Sequence, residues 1–328
     1  MGQSVALVLG SGGARGYAHI GVIQEIERRG YRIGCIAGCS MGAVIGGIHA
    51  AGKLDLYRDW VSGLAYLDLL RLLDLGFGNL GAIRGERIFG RIHEMLGEQR
   101  IEDLPIPFTA VASDLTNQQE VWFQQGCLHQ AMRASAAIPS LFAPVLQGRR
   151  VLVDGGLLNP LPIVPVVSAH CDLIIAVNLN GTHHNGYSMP VIERPAPVRL
   201  QWEQWVGGLS PRNWLSRRDG LDAPEALEVE PPVETVEHRR EDQAAPVEVD
   251  SHAGPASMLE LVNLSFETMQ TSLTQYKIAG YPPDVLIEVP RRLCRFFEFH
   301  RAPELIELGR MVASDALDRF EGVSPRRA

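Results

Sequence analysis

The chain has 328 residues, 46% of them hydrophobic, and a formal net charge of −8. That is enough apolar material for one large core or two smaller ones, and it reads as an ordinary globular protein. The excess of acid over base, with no basic stripe, argues against a nucleic-acid surface.

Met1 to Leu9 has no basic n-region and no small-residue cleavage site, so no cleaved signal is expected. Val5-Ala6-Leu7-Val8-Leu9 is a continuous apolar run, which predicts a strand buried on both faces. The glycine cluster Gly10 to Gly16 ends it. Ala14 to Arg29 then reads as a helix, with Ala18, Val22 and Ile26 inward, Gln24, Glu25, Glu27 and Arg28 outward, and Gly30 as the stop. A second unit follows: a strand over Ile33 to Ala37, a tight turn over Gly38 to Gly42 and a small-residue helix over Met41 to Ala51.

Leu54 to Leu80 is leucine-rich and reads as a core helical hairpin or as an apolar cap over a lipid site. Arg87 to Leu96 and Cys127 to Ala137 read as helices, and Phe108 to Ser113, Val151 to Val153 and Leu173 to Val177 as buried strands. The alternation predicts an α/β fold, a three-layer sandwich whose central sheet is mostly parallel with helices on both faces. Residues 1–180 form the expected catalytic core. Residues 181–256 gather proline and acid, among them Pro224, Glu225, Glu228, Glu230, Pro231 and Pro232, with few apolar residues, and are expected to be a disordered linker or a docking segment. Residues 257–328 resume the pattern, with helices over Ser257 to Tyr276 and Pro303 to Phe320 and a strand over Val285 to Val289. They are expected to complete the same domain.

No apolar run reaches the roughly 18 residues of a spanning helix, so the expected compartment is the cytoplasm and any membrane contact is expected to be peripheral. The five cysteines, Cys35, Cys39, Cys127, Cys171 and Cys294, contain no C-x-x-C pair and indicate neither a disulfide framework nor a zinc site.

Gly38-Cys39-Ser40-Met41-Gly42 fits G-x-S-x-G between a predicted strand and a predicted helix, the context in which that motif presents a nucleophile. Ser40 is therefore the candidate nucleophile, at a helix N-terminus that favours developing negative charge. The turn Gly10 to Gly16 offers convergent N–H groups for a phosphate or an oxyanion. It matches neither the dinucleotide pattern, since Arg15 falls where the last glycine belongs, nor a Walker A loop, since no Lys-Ser or Lys-Thr pair closes it. Asp154 directly follows the strand Val151 to Val153, at the carboxyl end where open α/β sheets build sites. Asp114 also follows a strand and is the rival base, whereas Asp172 precedes its strand and belongs at the opposite edge. A Ser-Asp-His triad would need a histidine such as His300, but only one strand-helix unit precedes the Ser40 strand, fewer than the α/β-hydrolase order needs. His19 and His49 fall within predicted helices and read as packing or surface residues.

Together, Ser11-Gly12-Gly13-Ala14-Arg15-Gly16, Gly38-Cys39-Ser40-Met41-Gly42 and Asp154-Gly155-Gly156 resemble the signature of the patatin-like phospholipase family, in its bacterial branch, over about Val5 to Leu179. The resemblance implies a Ser-Asp dyad in which Ser40 attacks and Asp154 is the base. It implies an oxyanion hole from backbone N–H groups near Gly12, Gly13 and Ala14. Arg15, Gly16, Gly38, Gly42, Gly155 and Gly156 support the motifs. The implied activity is that of a lipid acyl hydrolase of phospholipase A or esterase type, acting on a lipid or acyl ester with no metal and no cofactor. Ser11 stands where the family usually has its first glycine, and the acidic segment has no counterpart in the shared motifs. An ordinary aspartate, with a pKa near ~3.9, is a weak base at neutral pH, so oxyanion stabilisation would supply much of the rate. The alternative is a regulatory or partner-binding protein that keeps the fold, with the acidic segment as its docking element. Oligomeric state is not legible here.

Overall fold

A computed structural model describes residues 2–64, 85–139, 141–181, 186–189 and 258–322. The first apolar run forms β1 (Ser4–Leu9), buried along its whole length. A 3-10 turn (Gly13–Tyr17) and then helix α1 (Ala18–Arg28) lead to β2 (Arg32–Cys39). The first turn of the expected helix is thus 3-10, because the glycine-rich stretch winds tightly before the regular helix begins. Helices α2 (Met41–Ala50), α3 (Leu54–Ser62) and α4 (Glu86–Leu96) precede β3 (Phe108–Asp114). The expectations for Leu54 to Leu80 beyond Leu64, and for residues 181–256 apart from Gly181 and 186–189, lie outside the described residues.

β2, β1, β7 (Leu173–Gly181) and β8 (Val285–Pro290) run parallel in the order β3-β2-β1-β7-β8. Two strands run against this block, β4 (Gln119–Phe123) and β6 (Arg150–Asp154), and β5 (Val145–Gln147) pairs antiparallel with β6 at the sheet edge, so it points the same way as the block. β4 and β5 were not anticipated. β4 has two polar residues, Gln119 and Glu120, followed by only three apolar ones, and β5 is three residues long, so neither carries a buried-strand pattern.

β3 has β4 along one edge. Along its other edge β2 pairs with Phe108 to Val111, and β6 pairs with Ala112 to Asp114 from the opposite direction. The carboxyl ends of β2 and β6 therefore meet head to head beside β3, with Cys39 opposite Val111 and Asp154 opposite Ala112. This junction positions the site.

One sheet face, with Leu7, Ile36, Phe108, Ile175 and Ile287, packs under α1, α2, α5 (Leu128–Ser135) and α7 (Ala302–Phe320). The other, with Ala6, Val8, Ala37 and Ala176, is covered by Leu161, Ile163 and Val166 and by Ile278 of α6 (Met258–Gly280). Helices thus lie on both faces, more thickly on the first. α1 and α7 cross so closely that a Cβ on Gly21 would lie 1.9 Å from the Ile306 carbonyl oxygen, and one on Gly309 2.0 Å from that of Ala18. Glu25, expected on the outer face of α1, is buried instead. It accepts from Arg28 and Arg29, and Arg29 also reaches Asp318 of α7 at 2.6 Å. The covering helix turns an outward position into an interior one, and the carboxylate is tolerated because it is paired.

Candidate active site

Ser40 is the single residue between β2 and α2, and its backbone is forced to φ 56°, ψ −125°. A non-glycine residue in that region carries about 1–3 kcal/mol of strain. The surroundings hold it there. A Cβ on Gly42 would lie 2.1 Å from the Leu9 carbonyl oxygen, and one on Gly38 2.4 Å from that of Gly42. Both motif glycines are therefore required by close backbone approach. The Ser40 N–H donates to Ser135 Oγ at 2.9 Å, and Ser135 Oγ donates to the Val111 carbonyl at 2.6 Å. Ser135 carries no motif and was missed in the sequence.

Ser40 Oγ donates to Asp154 Oδ2 at 2.5 Å, and the Gly156 N–H donates to Oδ1 at 2.7 Å. The Asp154 N–H is itself held by the Ala137 carbonyl at 2.9 Å. Asp154 reaches Ser40 by a route other than the expected one. β6 is antiparallel to β3, so its carboxyl end would lie at the far edge of the parallel block had it run the full length. It stops after three pairs, level with the end of β2. Both Ser40 and Asp154 are buried. Desolvation pushes the Asp154 carboxyl up to about 7, against the lowering effect of the bonds from Ser40 and Gly156. The expectation of an ordinary, weakly basic aspartate is thus corrected by burial.

The rival Asp114 accepts from Asn117 and from the N–H groups of Thr116 and Asn117, with Arg150 at 3.6 Å. Burial opposes ionisation there, but these bonds hold its pKa below the usual value. It serves its own turn. Asp172 binds Ser4 at 2.7 Å, at the start of β1 and the opposite edge from Ser40. His19 is buried, its pKa pushed down to about 4 by desolvation, and donates through Nε2 to the Gly10 carbonyl at 2.9 Å. His300 lies in the 3-10 turn Phe299–Arg301 that enters α7. Among the described residues no histidine hydrogen-bonds to Ser40 or Asp154.

The glycine-rich turn stands beside the Ser40 turn because β1 and β2 are neighbours. Its amides are not equivalent. Gly10, Ser11 and Ala14 donate to the carbonyls of Val177, Pro160 and Phe296. The Ala14 N–H, expected in the oxyanion hole, is thus committed to Phe296 at 2.9 Å, and Gly12 and Gly13 are the amides of that set without a backbone acceptor among the described residues. Gly13 has φ +57°, which favours glycine. Arg15 is 2% exposed and donates to Asn180, Glu267 and the carbonyls of Cys294 and Arg291. It ties the turn to β7, to α6 and to the segment after β8. Gly16 lets the turn rest on Met41, and Gly155 lets the Asp154 turn rest on Val111. Ile138, Leu141, Phe142 and Phe296 form a separate apolar cluster, and the Phe296 ring also lies against Gly13. Among the described residues no group of three or more His, Cys, Asp or Glu side chains is placed to hold a metal, and no helix is long and apolar enough to cross a membrane.

The three-layer α/β fold thus carries a buried serine-carboxylate pair at a strained strand-to-helix turn. Residues 7–167 match the patatin-like phospholipase family, and the chain belongs to that family. It is 43% identical to uncharacterized NTE family proteins of Mycobacterium bovis and Mycobacterium tuberculosis, over 97% of this chain and 92% of theirs. It is 26% identical to Lysophospholipase NTE1 of Candida glabrata, over 71% of this chain and 15% of that longer protein.

Proposed function

We propose that the protein is a lipid acyl hydrolase that cleaves carboxylic esters through Ser40 and Asp154. The observation that carries this reading is the 2.5 Å bond from Ser40 Oγ to a buried carboxylate whose pKa burial brings to about 7. A base whose pKa lies near working pH is matched to accepting a proton and returning it.

Asp154 takes the Ser40 proton as Oγ attacks the ester carbonyl. Negative charge develops on the carbonyl oxygen, facing the Gly12 and Gly13 amides and the N-terminus of α2. Asp154 returns the proton to the departing alcohol, leaving an acyl-serine. Water, deprotonated by the same carboxylate, then releases the fatty acid and restores Ser40. The Ile138, Leu141, Phe142 and Phe296 cluster beside the glycine turn supports an apolar acyl group, and the family and the named lysophospholipase relative support a lipid ester.

A fluorophosphonate probe, which needs an activated serine beside oxyanion donors, is expected to label Ser40, and Ser40→Ala is expected to lose both the label and hydrolysis of a short acyl ester. Labelling elsewhere, or none on folded protein, would remove the enzymatic reading and favour a partner-binding role.

A further inference from the structure

We propose that Gln270 of α6 is a positioning residue for Asp154, its side-chain amide donating to the carboxylate and holding it aimed at Ser40. The proposal rests on the hydrolase reading above. Gln270 is 1% exposed. Its Nε2 lies 2.1 Å from where a Cβ of Gly156 would be, and Asp154 Oδ1 lies 3.0 Å from the same point. The two atoms are therefore at most about 5 Å apart; no hydrogen bond joins them in this conformation, so the contact requires a side-chain adjustment of Gln270. A side chain at Gly156 would have to displace this amide.

The helix is fastened by other residues. Glu267 accepts from Arg15 at 2.8 Å, three residues before Gln270, and Lys277 donates to Glu120 at 2.8 Å, seven residues after. These anchors lie on the same helix face and tie α6 to the glycine-rich turn and to β4. Gln270 Oε1 is buried with no hydrogen-bond partner among the described residues, so the amide contributes nothing to that fastening. For packing alone, an apolar side chain of similar size would fill the space without an unpaired polar atom.

The groups around Asp154 leave room for a neutral donor. From β2 the Cys39 thiol lies 4.0 Å from Oδ1, and burial keeps it un-ionised. On β3, Asp114 is turned to its own loop and to Arg150. On β4, Glu120 is paired with Lys277, and on α6, Glu267 is paired with Arg15. No cation is hydrogen-bonded to Asp154 among the described residues. Burial raises its pKa, and an amide donor opposes that rise.

The test uses the full chain with Gln270→Leu and the nearly isosteric Gln270→Met. The Asp154 titration is followed by 13C carboxylate NMR, with Asp154→Asn identifying the resonance, alongside the pH profile of kcat/KM. Loss of the donor is expected to raise the Asp154 midpoint by roughly one unit in both variants and to lower kcat/KM about tenfold on the acid limb, converging on wild type in alkali. An unmoved midpoint in the folded Met variant, or a loss equal at every pH, would overturn the proposal. A shifted midpoint in both variants, with no Ser40-dependent hydrolysis by the wild type, would sink the hydrolase reading and leave the positioning role standing.

Discussion

At the scale of single residues, Asp154 carries two opposite consequences of the same burial. In the proposed role of base it must be ionised, so kcat/KM is expected to rise with pH through a limb near 7 and then level off. A limb near 4 would show that the carboxyl is not desolvated in solution. As part of the fold it costs stability. Its folded pKa of about 7 lies above the unfolded value, so folding takes up a proton between about pH 4 and 7, and the contribution present below that window is lost as pH rises through it. Asp154→Asn has no proton to lose. It is expected to be more stable than wild type at pH 8, by on the order of 1–4 kcal/mol, with the gap closing toward pH 4. Thermal melts of the two proteins across that range check this, and identical melting temperatures at pH 8 would contradict it.

At the scale of elements, the crossing of α1 and α7 sets a sharp demand. Gly309 lies so near the Ala18 carbonyl that even a methyl group must push the helices apart. Gly309→Ala is expected to lose about 1–3 kcal/mol, read as a lower denaturant midpoint, although alanine is the better helix former. A midpoint equal to or above wild type would mean that the crossing is looser than described. Nothing in the sequence marked Gly21 and Gly309 as partners, because their link is purely tertiary. The parallel strands were legible, since Val5 to Leu9 is uniformly apolar and Phe108 to Ser113 is broken only by the small polar residues Thr109 and Ser113. The placement of Asp154 was legible only in its result. The rule for carboxyl ends of parallel strands pointed to the correct edge, while the strand that delivers it runs the other way and stops early. The Ser40 turn could be read because it needs glycines at fixed spacing. Ser135, Gln270 and the commitment of the Ala14 amide could not, because each depends on which distant segment happens to lie against it.

At the scale of the whole molecule, the proline- and acid-rich stretch poses a separate question. Its composition offers too few apolar side chains to offset the entropy of ordering it. Deleting residues 192–250 is therefore expected to leave the melting transition and short-ester hydrolysis close to wild type. A collapsed transition would show that the segment contributes to the core. The sheet itself is closed late in the chain: β8 adds to β7, and α7 covers α1. A ribosome adding about 5–20 residues per second needs on the order of tens of seconds between releasing α1 and releasing α7. For that interval the face of α1 around Ala18 and Gly21 lacks α7, the helix it packs against. Arg15 likewise waits for Glu267 and the Cys294 carbonyl before its guanidinium is paired. The nascent chain thus carries Ser40 long before the parts that complete its surroundings have been made. On the proposed hydrolase reading, activity is expected only once synthesis is nearly over, and the apolar surface left uncovered until then is a site for aggregation.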